Sequence, residues 1–306
     1  RISCIEDIKC SGNWMWPLSE EGEKDNLYKT AKSMCQIMEQ LGIAIDGGKD
    51  SLSMCAKIGD TKIKAPGALV ISSYVSCPDI KCRVTPDLKK SGSKLIFIDL
   101  ADGQTRIGGS ILEQVFKHWG NPPPNCDDPD KLRSCFNYIQ QLIFENKILS
   151  LHDRSDGGLI TTIIEMCIAG NLGCQLNINS EIVDVEKGNA IMNYLFNEEL
   201  GVIIEVESLY CDEIINALKD LDINSMNIGE ITDYKAIQIY FDECLLHEEL
   251  DELRKNWEFT SYNLEKKQCN LLCVEKENRY LTNENIQVPT NHLPTKVSAY
   301  CSEKIA

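Results

Sequence analysis

The stretch Leu151-His152-Asp153-Arg154-Ser155-Asp156-Gly157-Gly158-Leu159 constrains the fold of this chain more than any other. Apolar Ile148, Leu149 and Leu151 lead in as a short strand. A compact polar turn follows, with two carboxylates, a histidine, an arginine and a serine, closed by paired glycines. From Leu159 onward, apolar residues at 159/160, 163/164 and 166–168 have the spacing of a buried helix, and Gly170 is its expected terminator.

A polar turn feeding a helix gathers unpaired backbone N–H groups and the positive end of the helix dipole at one point, which suits phosphate. Gly157 and Gly158 let a ligand approach the backbone closely. Asp153 or Asp156 could hold a hard cation such as Mg²⁺, which binds one or two carboxylates together with phosphate oxygens and water. A plainer reading fits the same residues: Ser155 or Asp156 caps the helix and the glycines make a turn. Spacing alone leaves the two readings equal.

With 306 residues, the chain has room for one large or two medium domains. Its net charge of −16 argues against a nucleic-acid-binding surface. No apolar segment approaches the roughly 20 residues that a membrane span needs. The opening Arg1-Ile2-Ser3-Cys4 has neither an initiator methionine nor the pattern of a signal peptide, and reads as part of a longer polypeptide. The fifteen cysteines are odd in number and scattered through apolar runs, as at Cys35, Cys55, Cys167 and Cys174. Cys77…Cys82 and Cys269…Cys273 only approach a C-x-x-C spacing and lack a histidine partner, so neither zinc nor a disulfide framework is expected. Buried free thiols remain, and with them a reducing, cytoplasmic compartment.

Taken in order, Cys10 to Trp16 reads as a small-residue turn running into large aromatics. Asp25 to Leu41 then reads as a helix ending at Gly42. Ile43-Ala44-Ile45 is a short strand before a second glycine turn, Asp46-Gly47-Gly48-Lys49-Asp50-Ser51-Leu52-Ser53-Met54. That turn lacks the glycine spacing of a P-loop. It still offers a point charge at Lys49, a donor at Ser51 and glycine amides, all compatible with phosphate; the alternative is a β-turn with Lys49 in solvent.

A strand is expected at 68–75, and a domain seam at Lys89-Lys90-Ser91-Gly92-Ser93. Beyond it, strands at 94–100, 174–178, 201–206, 226–231 and 236–241 alternate with helices at 111–119, 130–145, 159–170, 188–196 and 210–220, an α/β or α+β pattern. His247 to Trp257 reads as one charged helix, and Lys266 to Ala306 as a polar linker.

Three segments carry a family resemblance. They are Lys9-Cys10-Ser11-Gly12-Asn13-Trp14-Met15-Trp16, the Asp46–Met54 segment, and His152 to Leu159. In this order they resemble phosphoribosylformylglycinamidine synthase of the large, single-chain type. Pro66 to Pro86 and Phe196-Asn197-Glu198-Glu199-Leu200-Gly201 are similar to it as well. The resemblance implies an aminoimidazole-ribonucleotide-synthetase-like fold. Residues 1–92 would be the end of a second A domain, 93–245 its B domain, and 246–306 a helix and linker toward an absent glutaminase domain.

It also implies conversion of formylglycinamide ribonucleotide, ATP and glutamine or ammonia to the amidine, ADP, phosphate and glutamate, in de novo purine synthesis. Asp153 matches the family's Mg²⁺ ligand and Ser155 a nucleotide contact, with Gly157 and Gly158 beside them. Gly48 and Ser51 lie where small-type members contact nucleotide and substrate. Lys49 replaces an asparagine that is a metal ligand there, so no metal is expected at that turn. Large-type members hold one non-reacting nucleotide, and Asp153 fits either that site or the reacting one. Apart from the resemblance, His152 is adjacent to the aspartate and could orient it or contact phosphate; a histidine with no role in the site is the alternative. The N-terminal synthetase half and the glutaminase are expected as partners in the same polypeptide, and the chain alone is expected to be inactive. Two other readings stand beside this one: a different ATP-using enzyme of the superfamily, and a non-catalytic scaffold organised by bound ADP–Mg²⁺.

Overall fold

Glycines bracket the first helix. In the computed structural model, which describes residues 1–178, 190–241 and 243–281, α1 (Glu23–Leu41) starts after Gly22 and stops at Gly42, both with positive φ. The Gly42 N–H donates to the carbonyls of Met38 and Glu39, which closes the last turn with a residue that pays no Cβ penalty in the left-handed region. The helix expected from 25 to 41 is therefore present with its expected terminator.

α1 links two parallel strands, β1 (Lys9–Met15) and β2 (Ala44–Ser51). After the small hairpin of β3 (Cys55–Ile58) and β4 (Thr61–Lys64), β5 (Ala68–Tyr74) pairs antiparallel on the other side of β1, for a sheet order of β2-β1-β5. Two expectations are corrected here. Cys10–Trp16 is not a small-residue turn, since residues through Met15 form the central strand. Most of the second glycine turn, through Ser51, is strand as well. Gly, Asp, Lys and Ser are weak strand formers, and pairing overrides that preference. Gly48 lies opposite Gly12, and a Cβ on Gly48 would fall 2.1 Å from the Gly12 carbonyl oxygen. The bare glycine lets two backbones meet.

The larger sheet has seven strands. They are β6 (Lys94–Asp99), β7 (Ile148–Asp153), β8 (Gly173–Asn177), β9 (Gly201–Val206), β10 (Asn224–Thr232), β11 (Ala236–Phe241) and β12 (Glu243–Glu249). Their spatial order is β12-β11-β8-β10-β6-β9-β7, antiparallel throughout except for β8 with β11. The helices between them are α2 (Ile111–Phe116), α3 (Pro129–Phe144), α4 (Gly158–Gly170), α5 (Ala190–Phe196) and α6 (Cys211–Asp220).

Both faces of β6 and β9 are mostly apolar because both are covered. Ile96, Ile98, Ile204 and Val206 pack with Cys135, Ile139 and Leu142 of α3 and with Ile214 and Leu218 of α6. Leu95, Phe97 and Ile203 alternate to the opposite side and are equally buried; there the Phe97 ring meets Tyr194 of α5 edge-on. α4 is buried along most of its length, as its continuous apolar pattern required.

Residues 89–93, where a domain seam was expected, lie inside one compact unit and are pinned from within. Glu205, on β9, is fully buried, and its carboxylate accepts from the Lys89 and Lys90 N–H groups and from the Ser93 and Ser150 hydroxyls, at 2.7–2.9 Å. A buried carboxylate is tolerable only when its lone pairs are filled in this way.

Three further expectations change. α2 ends at Phe116 instead of 119, with Lys117 in the left-handed region. His247 lies on β12, so the charged helix begins later and runs longer, as α7 (Leu250–Gln268). The expected linker from Lys266 contains α8 (Leu271–Leu281); its remainder from 282, like residues 188 and 189 of the expected 188–196 helix, lies outside the described residues. Residues 1–250 form one compact unit, and the segment from Asp251 a second. Among the described residues no helix is long and apolar enough to cross a membrane.

Candidate functional site

β7 delivers Asp153 at its last position, and α4 begins five residues later. Side chains alternate through the turn, as strand geometry dictates. Asp153 points outward, its side chain 76% exposed, and its Oδ2 accepts from the Ser155 hydroxyl at 2.5 Å. Arg154 points inward and is buried. Its Nε donates to the Glu199 carbonyl at 2.6 Å and its Nη2 to the Leu200 carbonyl at 3.0 Å, while the guanidinium lies over the Phe97 ring and 3.5 Å from Asp99. Burial lowers the Arg154 pKa, and Asp99 and Glu199 act against that. The arginine anchors the turn, leaving Asp153 and Ser155 to face solvent.

The two glycines serve different ends. Gly157 and Gly158 both have positive φ. A Cβ on Gly158 would lie 2.6–2.7 Å from backbone atoms of Leu195, Phe196 and Asn197, so the space it leaves is filled by the chain and not reserved for a ligand. The Gly157 N–H, expected to be open to phosphate, donates to Glu198 Oε1 at 2.8 Å; the same oxygen accepts from the Ile111 N–H at 2.9 Å. An internal carboxylate therefore sits at the start of α4.

Sequence reasoning gave no role to Glu198 or Glu199, and the structure gives both one. Glu199 is fully buried and takes the Arg106 backbone N–H and both its Nε and Nη2. Hydrogen bonds from Glu199, then Asp127, raise the Arg106 pKa further. The Asn197 side chain bonds the Asn193 and Tyr194 carbonyls and the Glu199 N–H. Residues 197–200 thus clamp the Arg106–Ile111 loop, α4 and α5 together. The available signal was a pair of acids between a helix and a strand, but the partner of Glu199 is 93 residues away and no spacing rule reaches it. Glu113 likewise holds the Gly108-Gly109-Ser110 turn: the Gly109 N–H and the Asn121 amide donate to its buried carboxylate and lower its pKa.

Gly48, Lys49 and Ser51 lie apart, on edge strand β2, where the Lys49 ammonium donates to the Ser51 hydroxyl at 2.5 Å. Among the described residues, no hydrogen bond or ion pair joins them to the Asp153 turn. The fourteen described cysteines are all free, and burial pushes the Cys135 thiol up to about 12. No group of three or more His, Cys, Asp or Glu among the described residues is arranged to hold a metal. One exposed carboxylate with a hydroxyl beside it fits Mg²⁺ held mostly by phosphate oxygens and water, and does not fit an all-protein cage.

Two family models match the chain: one described as an FGAR-AT PurM_N-like domain over residues 1–76, the other as AIR synthase related protein, C-terminal domain, over residues 90–242. A probable phosphoribosylformylglycinamidine synthase of Arabidopsis thaliana, named as chloroplastic/mitochondrial, is 44% identical over 280 residues, 90% of this chain and 20% of the relative. The Homo sapiens phosphoribosylformylglycinamidine synthase is 38% identical over 286 residues, 92% of this chain and 21% of the relative. The chain belongs to the phosphoribosylformylglycinamidine synthase family. It spans about a fifth of the length of these synthases.

Solved structures agree on the fold. PurL of T. maritima complexed with ATP aligns with a TM-score of 0.60 at 12% identity, over 80% of this chain and 37% of that one. E. coli HypE aligns at 0.55 and 17% identity, over 76% and 69%. The mixed α/β architecture of an aminoimidazole-ribonucleotide-synthetase-like domain, expected from the synthase motifs, is the one found.

Proposed function

We propose that this chain is part of an ATP-dependent ligase that converts formylglycinamide ribonucleotide, with glutamine or ammonia, to the amidine, ADP and phosphate. Residues 1–92 would contribute to its second A domain and 93–245 form the B domain that follows. The observation that carries the reading is Asp153: an exposed carboxylate at a strand end, steadied by Ser155 at the mouth of α4. It belongs to a segment whose relatives, at 38–44% identity, are named as that synthase. T. maritima PurL has been solved with ATP, ADP, AMPPCP and FGAR, which supports a nucleotide and this substrate as ligands.

In this reaction the formamide oxygen takes the γ-phosphoryl group and ADP leaves. Ammonia then adds to the carbon, and phosphate departs with the oxygen. Bound Mg²⁺ would supply charge neutralisation at the polyphosphate. The chain's own residues do the rest of the positioning. Asp153 offers the carboxylate, Ser155 fixes its rotation, and Arg154 with the 197–200 clamp holds the turn rigid. Preorganisation of this kind lowers the entropy lost when a ligand is ordered.

The test is direct. Full-length synthase carrying this segment should form amidine and ADP in equal amounts, whereas the 306-residue chain with ammonia, substrate and MgATP should form none. A full-length protein without amidine formation would overturn the assignment. Turnover by the short chain alone would contradict its expected dependence on the rest of the polypeptide.

A further inference from the structure

α4 reads Gly-Leu-Ile-Thr-Thr-Ile-Ile-Glu-Met-Cys-Ile-Ala-Gly, and Glu165 is its only charged residue. A carboxylate two turns into a buried helix is costly unless something answers it. Glu165 is partly sheltered, its side chain 28% exposed. Its Oε2 lies 3.1 Å from His152 Nε2. The other ring nitrogen, Nδ1, lies 2.8 Å from the Asp153 carbonyl oxygen and 3.3 Å from Asp153 Oδ1. The imidazole is mostly enclosed, 20% exposed, and stands between the helix carboxylate and the turn carboxylate. Ser155 holds the second oxygen of Asp153 from the opposite side. An aspartate that is three-quarters exposed thus has one carboxylate oxygen bonded by Ser155, and the other faces an imidazole whose far nitrogen lies against Glu165.

We propose that Glu165 is a positioning residue: through His152 it fixes the direction in which Asp153 presents its carboxylate to a divalent cation. The proposal rests on the reading of Asp153 as a cation ligand and assigns Glu165 a task that packing does not require. The 197–200 clamp holds only the backbone of the turn, whereas the His152 ring that Glu165 meets lies against both the Asp153 carbonyl and its carboxylate. A carboxylate already oriented loses less rotamer freedom on binding, and partners one shell out from a ligand typically change metal affinity by about 10- to 100-fold.

The experiment uses the full-length synthase saturated with ADP and titrated with Mn²⁺ as a spectroscopic probe, alongside a thermal melt. Glu165→Leu should weaken Mn²⁺ binding about tenfold or more. Glu165→Gln, which keeps the shape and an oxygen for the ring, should recover part of that loss. In an Asp153→Ala background, Glu165→Leu should cost nothing further, because the path it acts through is gone. A Glu165→Leu protein that melts lower but binds Mn²⁺ like wild type has lost structure only, and the proposal fails. The same loss in the Asp153→Ala background also overturns it. If Asp153→Ala itself leaves Mn²⁺ binding unchanged, the cation-ligand reading falls first and this proposal with it.

Discussion

Alanine at position 158 should destabilise the chain by about 4 kcal/mol, combining left-handed strain with a collision against backbone that cannot yield. Gly158 has a φ of +75°, and the added methyl would meet main-chain atoms of residues 195–197 at 2.6–2.7 Å. The same substitution at Gly103 provides the control. Its φ is +76° with nothing within 4 Å of the added atom, so Gly103→Ala should show only the dihedral cost, about 1 kcal/mol. Denaturant unfolding of the two variants separates strain from contact. Equal losses would mean that close packing of α4 on the 195–197 segment contributes nothing.

The second large effect is expected at Glu205. Glu205→Ala removes the common acceptor of two backbone N–H groups and two hydroxyls, and should cost about 3–5 kcal/mol. Glu205→Gln keeps one acceptor oxygen but turns an amide N–H toward groups that are themselves donors, so an intermediate loss is expected. The effect should appear first as loosening of residues 89–93, read by hydrogen exchange at the Lys89 and Lys90 amides. Unchanged protection there, in a variant that is otherwise destabilised, would show that residues 89–93 are held by something else.

These two residues mark where the sequence was and was not readable. Strand β7, its polar turn and α4 were legible because their signals are local: an apolar run, paired glycines and helical spacing all fall within 23 residues. α1 was legible for the same reason, down to Gly42 as its cap. β1 and β2 were not. Many of their residues prefer turns, and what makes them strands is pairing at long range: Gly12 lies opposite Gly48, 36 positions away, and β5 pairs along the other side of β1. The length of α7 and the existence of α8 were missed because a polar, weakly periodic stretch was read as linker. The absence of glycine and proline from 250 to 281 was the overlooked clue.

The site divides along the same line. Asp153 and Ser155, paired in the motif, are hydrogen-bonded to each other at the turn, whereas Gly158 turned out to have a packing reason. The Glu198–Gly157 and Glu199–Arg106 links depend on tertiary neighbours and were invisible.

A reacting nucleotide and a retained one both need the grip assigned to Asp153, so binding tests that grip more directly than turnover does. Calorimetric titration of MgADP into full-length synthase, wild type against Asp153→Ala, is the decisive measurement. The account predicts at least tenfold weaker binding in the variant. It also predicts loss of the roughly 3–4 kcal/mol of ligand-linked stabilisation that wild type gains at 100 to 1,000 times its Kd. Equal MgADP affinity in the two proteins would contradict it.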